Sequence, residues 1–556
     1  MNFKYSAAAA LAVLSAPAHA VEPDFAAKAE AIVDAAYPVS GPGGAVIVTE
    51  GGKVVYAGGA GMADMAKGVP VTPDTVFRLG SITKQFSAAV VLQLVAEGKL
   101  SLDDPLSKFV PGYPEPGAHA TVRQLLNHTS GIQSYTGIPG WMASDKVRTP
   151  HTTAEMIAEF RDQPAEFQPG EKWDYNNSGY VLVGAVIEAV TGMPWHQAIA
   201  ERITKPLGLT TIRYGGEEAS VPAFATGYTE GPDGKFVPAR VLDMSVPHAA
   251  GALIGTVGDL AKWSDALHHG KVVSAPLYAQ MIAPTPLPDG KSEPYGFGLG
   301  QTSLQGLKTI THSGGIFGFG TNALYIPERD LFVAVFTNSD GGIQSAGLPM
   351  LRLAAQAIGK PFPTFSEATP DLAALEPMFG SYAIDGDGDA TRLFFARDGK
   401  LYTRRSGASD SAVLAAGGNR FFYGPNSLNW FEMKQESDGT WAMLMHQNGE
   451  EKAERALRTG PMPKLVTVDV PREVLASYTG AYTSAVAPIA VALGDDGVLT
   501  LAFGPQRPIA LQALSATEFA AVGVDARVEF TPGEGKAGGL VLRQGGRELN
   551  ATRSAD

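Results

Sequence analysis

Leu79-Gly80-Ser81-Ile82-Thr83-Lys84 runs without a break into Gln85-Phe-Ser-Ala-Ala-Val-Val-Leu-Gln-Leu-Val-Ala96. The second stretch is too rich in Ala and Leu to cover a surface and it stops at Gly98, so the pattern predicts a buried helix. Ser81 then stands at the helix N-terminus with Lys84 three positions on, and side chains at that spacing share a face. A serine hydroxyl is a weak nucleophile until a neighbour takes its proton, and a lysine desolvated in an apolar site loses its preference for the charged form and can do so. The N-terminal end of the helix also favours negative charge developing beside it. Taken alone, Ser-x-x-Lys reads equally as a helix cap followed by a surface lysine. The chain on either side decides between the two.

Upstream, Gly44-Ala-Val-Ile-Val-Thr and Val54-Val-Tyr-Ala flank Gly51-Gly52, the pattern of a β-hairpin. A second hairpin is expected late, where Ala323–Ile326 and Leu331–Phe336 flank the turn Pro327-Glu-Arg-Asp330. Mostly helical and loop sequence lies between. It includes a capping-box-like start at Thr256-Val-Gly-Asp259. Strands at both ends with helices between predict an α+β domain whose antiparallel sheet is closed by distant segments. Past Pro361-Phe-Pro363 the helical periodicity stops, and short β-rich runs separated by Gly, Asp and Asn turns continue to the end. This tail repeats: Leu375-Glu-Pro-Met-Phe-Gly-Ser-Tyr382 lines up with Leu475-Ala-Ser-Tyr-Thr-Gly-Ala-Tyr482, and Phe421 keeps the same step to Phe519. A unit of that size is a domain, so two tandem antiparallel β-barrels or sandwiches are expected. The expected division is 21–363 for the first domain, 364–465 and 466–556 for the two β domains.

A chain of 556 residues exceeds one hydrophobic core several times over, and 45% apolar with 18% charged residues is globular composition. The net charge of −13 offers no electrostatic reason to approach nucleic acid or an anionic membrane. There is no cysteine, which excludes disulfides, thiolate metal sites and a cysteine nucleophile. Residues 1–20 combine Lys4, a short apolar run and Ala18-His19-Ala20, the pattern of a signal peptide cleaved after Ala20. A secreted, periplasmic protein without an integral membrane span is expected. Its oligomeric state is open, with a dimer as one outcome.

Three further segments keep company with Ser81 and Lys84. Leu125-Leu-Asn-His128-Thr-Ser-Gly131 is followed by Trp173-Asp-Tyr175-Asn-Asn177-Ser178, and His312-Ser-Gly314-Gly315 precedes the last hairpin. With these residues the chain resembles the serine β-lactamase and penicillin-binding protein superfamily, whose ordered motifs are Ser-x-x-Lys, Tyr-x-Asn and a Lys-Thr-Gly or His-x-Gly strand. The likeness extends over roughly residues 25 to 360 and takes in Ala249-Ala-Gly251-Ala-Leu253. It implies a β-lactamase-like domain in which Ser81 attacks a carbonyl, Lys84 and Tyr175 share the proton transfers, and Asn177 binds the lysine and the substrate. His312, Gly314 and Gly315 would line the substrate, and the backbone N–H groups of Ser81 and Gly315 would form the oxyanion hole. Which of Lys84 and Tyr175 is the ground-state base stays open: a phenol beside an ammonium has its pKa lowered, while burial moves the ammonium's own.

His312 departs from members that recognise a carboxylate with lysine. A mostly neutral imidazole lacks that fixed charge, which favours amides or esters without a free carboxylate. The resemblance extends to D-aminopeptidases built from the same domain followed by two lipocalin-like barrels. The expected activity is therefore a D-aminopeptidase-like amidase acting on small D-amino-acid or peptidoglycan-derived substrates, short peptides included. Its alternatives are a carboxyl esterase, a DD-carboxypeptidase or weak β-lactamase, and a catalytically idle binding protein. No cofactor or metal is expected. Asp385-Gly-Asp-Gly-Asp389 begins like a calcium loop but has Ala396 where a glutamate ligand is needed, and the Gly296–Gly300 run is followed by no helix that could hold a phosphate. His128 reads as a structural histidine beside the site.

Overall fold

The computed structural model describes residues 21–554 except 217, 232, 342–344 and 505; the expected signal peptide lies outside the described residues. The chain forms two compact units, one ending at Phe362 and one beginning at Pro363.

The first unit is built on an antiparallel sheet of six strands: β1 (Gly44–Glu50), β2 (Lys53–Ala60), β3 (Gly300–Leu304), β4 (Leu307–Ile316), β5 (Phe319–Ile326) and β6 (Leu331–Thr337). Their order is β3-β4-β5-β6-β1-β2, so the two expected hairpins meet where β6 pairs with β1. β6 is buried along its whole length and β1 nearly so, the signature of central strands covered on both faces. Gly51 and Gly52 turn the first hairpin with φ of 57° and 70°, the left-handed pair that a two-residue turn between twisted strands requires.

Five helices frame the sheet and the site: α1 (Phe25–Ala36), α2 (Thr83–Ala96), α3 (Asn177–Thr191), α4 (Val257–His268) and α5 (Gly347–Ala357). α1, α4 and α5 pack on the sheet, while α2 packs against α3. Eleven of the 14 residues of α2 are buried, which explains why its sequence shows no polar stripe. The start of α4 differs from the expected box: Thr256 Oγ1 accepts from Asp259 N–H, but the Asp259 carboxylate turns away to the N–H and hydroxyl of Thr211, both at 2.7 Å. A cross-chain tie has taken the place of the local one.

The second unit holds two closed barrels of eight antiparallel strands, running from Gly380–Ile384 to Glu454–Gly460 and from Gly480–Ser484 to Arg547–Arg553. The fold class expected from the sequence, an α+β domain followed by two all-β barrels, is the one observed. The repeat is structural as well: the Tyr382 hydroxyl donates to Met378 O and the Tyr482 hydroxyl to Tyr478 O, the same corner in each barrel. Among the described residues no helix is long and apolar enough to cross a membrane.

Candidate active site

Gly80 adopts a left-handed conformation (φ 51°) and turns the chain through one 3₁₀ turn, Gly80–Ile82, into α2. Long-range hydrogen bonds pin this turn: Leu79 N–H donates to Leu253 O at 2.8 Å, the Thr321 hydroxyl donates to Leu79 O at 2.9 Å, and Leu253 N–H donates to Thr83 Oγ1 at 3.1 Å. Ser81 is thereby presented at the head of a buried helix by contacts from β5 and from the segment after Ala249.

β4 passes so close that a Cβ on Gly314 would fall 2.1 Å from Leu79 O and 3.0 Å from Ser81 N, while one on Gly315 would meet nothing within 4 Å. Gly314→Ala is therefore expected to part the strand from the Ser81 turn, lowering Tm by roughly 2–6 °C and kcat with it, as overpacking by a methyl does elsewhere. Gly315→Ala should leave Tm within about 2 °C, as substitutions free of such clashes do. Thermal melts of the two variants, run side by side, check this.

Lys84 is fully buried. Its Nζ lies 3.1 Å from Ser81 Oγ, 2.9 Å from Asn177 Oδ1 and 2.9 Å from Ala250 O. Two of these three, the amide oxygen and the backbone carbonyl, can only accept. A neutral amine satisfies all three contacts by donating its two hydrogens to Asn177 and Ala250 and turning its lone pair toward the serine hydroxyl. Burial lowers the pKa of Lys84 well below its ordinary 10.5, toward that neutral form.

Tyr175 completes the cluster: Lys84 Nζ sits 4.8 Å from its ring centroid. Burial raises the phenol's pKa, opposed by a weaker interaction with the Ser81 hydroxyl. The expected lowering by a neighbouring ammonium is absent because desolvation dominates, so both partners are held toward their neutral forms. Asn177, the first residue of α3, is placed by its neighbours. Asn176 caps the helix by accepting from Gly179 N–H at 2.7 Å, and the Asn177 amide donates to Thr136 Oγ1 at 3.3 Å.

His312 lies on β4, buried. Its Nδ1 is 2.6 Å from Ser313 O and its Nε2 is 2.8 Å from the Tyr295 hydroxyl. A carbonyl can only accept, so Nδ1 carries a proton, and in the neutral ring Nε2 then accepts from the phenol. Burial, with Lys84 nearby, pushes its pKa down to about 4. His128 is held as a structural residue: Asn176 N–H donates to its Nδ1 at 3.1 Å, and its ring lies 4.4 Å from that of Tyr175 and 4.8 Å from that of Tyr295.

Ser81, Asn177 and Gly315 border a cavity of about 500 Å³; Lys84, Tyr175, His312 and Gly314 are not part of its wall. The wall is largely apolar, with Met142, Leu242, Val246 and Phe317. Its one charged residue among those described is Asp340, whose Oδ2 accepts from Gly318 N–H at 2.6 Å and the Thr229 hydroxyl at 2.9 Å. Three participants went unread in the sequence. Ala250 acts through a carbonyl, which leaves no side-chain trace. Tyr295 directly precedes the Gly296–Gly300 run and carries no motif of its own. Asp340 follows β6 as an ordinary polar loop residue.

A family model described as Beta-lactamase matches residues 33–357. The chain belongs to the beta-lactamase family. It is 26% identical over 438 residues to penicillin-binding protein 4* of Bacillus subtilis, covering 75% of this chain and 95% of the relative. To the D-aminopeptidase of Gluconobacter oxydans it is 27% identical over 382 residues, covering 66% and 68%. Among solved structures, a D-amino acid amidase from Ochrobactrum anthropi SV3 matches with a TM-score of 0.53 at 27% identity, covering 60% of this chain and 98% of that one. An octameric penicillin-binding protein homologue from Pyrococcus abyssi matches at 0.55 and 28%, covering 78% and 99%. The beta-lactamase-family domain thus stands among serine hydrolases, with D-aminopeptidases and D-amino acid amidases as relatives.

Proposed function

We propose that the beta-lactamase-family domain hydrolyses amides of small amino-acid-derived substrates that carry a free ammonium group, in the manner of a D-aminopeptidase, through an acyl-enzyme at Ser81. The observation that carries the reaction is the 3.1 Å contact between the buried Lys84 Nζ and Ser81 Oγ, with both remaining neighbours of the amine restricted to accepting. Lys84 is the base in the ground state: it takes the hydroxyl proton as Ser81 Oγ bonds to the carbonyl carbon. Tyr175, a neutral phenol beside the hydroxyl, passes a proton to the leaving amine and is reprotonated from Lys84. The N–H groups of Ser81 and Gly315 hold the oxyanion. Water then releases the acid and restores Ser81.

Substrate class follows from charge. The cavity presents one carboxylate and no cation among its described lining residues, and His312 is neutral, so an ammonium is favoured and a free carboxylate is not. D-aminopeptidase and D-amino acid amidase relatives support the same class. The protein acts outside the cytoplasm, exported by residues 1–20.

The test is a panel of D-alanyl p-nitroanilide, p-nitrophenyl butyrate and nitrocefin. The anilide is expected to give the highest kcat/KM. Nitrocefin as the best substrate would sink the charge reasoning, and butyrate as the best would make the protein an esterase. Asp340→Asn can keep both hydrogen-bond acceptances through its amide oxygen while removing the charge and turning the other oxygen into an NH2 donor. It should lower kcat/KM for the anilide about 10-fold, the scale of one charge-assisted contact, and leave the butyrate ester within about 2-fold. Equal effects on both would deny Asp340 its role.

A further inference from the structure

The two barrels share one hydrogen-bonding plan, which allows their interiors to be compared position by position. In the first barrel Tyr382 pairs with Arg392, which pairs with Arg405; in the second Tyr482 pairs with Ile489, which pairs with Phe503. Across the other side, Phe421-Phe431-Met445-Glu454 is matched rung for rung by Phe519-Val528-Leu542-Leu549. The first barrel is plugged. Glu454 accepts from Arg392 Nε at 2.6 Å and from Arg405 at 2.8 Å, and the Thr403 hydroxyl meets the Tyr423 hydroxyl at 2.7 Å. In the second barrel every member of that ionic plug is replaced by an apolar residue, and Phe431 is replaced by the smaller Val528.

The consequence is a cavity of about 720 Å³ in the second barrel, walled by Leu501, Phe503, Leu511, Val528, Leu542 and Leu549. These residues alternate along their strands with outward ones, so the wall is the inner face of the barrel. One inward position further along, Leu499, Phe519, Phe530 and Leu540 fill the opposite end, with Phe530 stacked on Tyr478 at 4.3 Å. The space is closed at one end and open at the other, and its size is that of small-molecule sites, roughly 300–1,000 Å³.

The mouth is polar. Arg547 borders it, two positions before the inward-facing Leu549, and has no ion-pair partner among the described residues. Glu548, also at the rim, is engaged by Arg543 at 2.6 Å. Gln544 donates to Gly407 O at 3.1 Å, in a turn of the first barrel that is fastened to the second through Asp410 N–H to Gly523 O at 2.7 Å. An apolar pocket with one uncommitted cation at its rim complements a molecule with a single hydrocarbon chain and an anionic head.

We infer that the second barrel is a binding site for a fatty-acid-like amphiphile, its chain in the cavity and its carboxylate at Arg547. The first barrel, plugged by its own ions, serves as scaffold and rim.

Fluorescence titration of the full chain with 11-(dansylamino)undecanoate, followed by displacement with dodecanoate, dodecanol and lysophosphatidylglycerol, tests this. Saturable binding of one probe per chain is expected, with dodecanoate displacing it about 10-fold more effectively than dodecanol, the scale of one ion-paired head group. If lysophosphatidylglycerol displaces better than dodecanoate, the source is a lipid head group and the shared chemistry stands. Val528→Phe, which restores the first barrel's residue, should abolish binding. Should that variant fail to fold, Arg547→Gln at the exposed rim remains: it should remove the preference for dodecanoate over dodecanol. No saturable binding by the wild-type chain, or binding unchanged in Arg547→Gln and in a folded Val528→Phe, would overturn the assignment.

Discussion

Ser81→Ala is expected to lower kcat/KM by about 10⁴-fold or more on every substrate the protein turns over, because an activated nucleophile cannot be replaced by binding and an oxyanion hole alone. The loss should fall on kcat, since the hydroxyl reacts and the cavity wall that holds the substrate is otherwise unchanged. Structure should survive. Ser81 is half-buried, and Lys84 keeps its bonds to Asn177 Oδ1 and Ala250 O when the hydroxyl is removed. Tm is expected within about 2 °C of wild type. Mass spectrometry after exposure to a fluorophosphonate should show one adduct on the wild-type chain, on the peptide containing Ser81, and none on the variant. An adduct that persists in Ser81→Ala would place the nucleophile elsewhere and end the acyl-enzyme reading.

How much of this site was legible in the sequence depends on what kind of group each participant uses. Ser81, Lys84 and Tyr175 announce themselves because hydroxyl, amine and phenol are side-chain types in a fixed order, and the buried helix after Ser81 was readable from its composition. The barrels were legible through their repeat, since Tyr382 and Tyr482 fill the same corner and recur at the repeat period. Contacts made by the backbone were not legible. Ala250 O holds Lys84 at 2.9 Å, and nothing in an alanine marks its carbonyl as an acceptor for a buried amine. Nor could the sequence rank opposing electrostatic effects. Lowering of the phenol by an ammonium and neutralisation of the amine by burial were both open from the sequence, and desolvation prevails at both groups. The neutrality of His312 was expected from its ordinary pKa, but its cause is the depth of burial, with Lys84 nearby.

Lys84→Met removes the proposed base while keeping an apolar stem of similar length, and kcat/KM is expected to fall about 10³-fold, within the range of a positioned general base. Its second signature is in the pH profile. In the wild type only the neutral amine can accept the serine proton, so kcat/KM should rise with pH and level off below the ordinary lysine value of 10.5. His312, with its pKa pushed down to about 4, adds no limb in the neutral range. The variant's residual rate should lose the Lys84 limb. Stability offers an independent check whose sign follows from linkage. The folded pKa of Lys84 lies below its unfolded one, so between the two values the unfolded chain binds more protons and wild-type stability from this group rises with pH. Methionine has no such dependence, although it leaves Ala250 O and Asn177 Oδ1 without their donor. The Tm of Lys84→Met relative to wild type should therefore be most favourable at low pH and decline as pH approaches 10.5. A difference that stays constant across that window, together with an unchanged rate profile, would show that Lys84 is charged at rest and that Tyr175 must be the base.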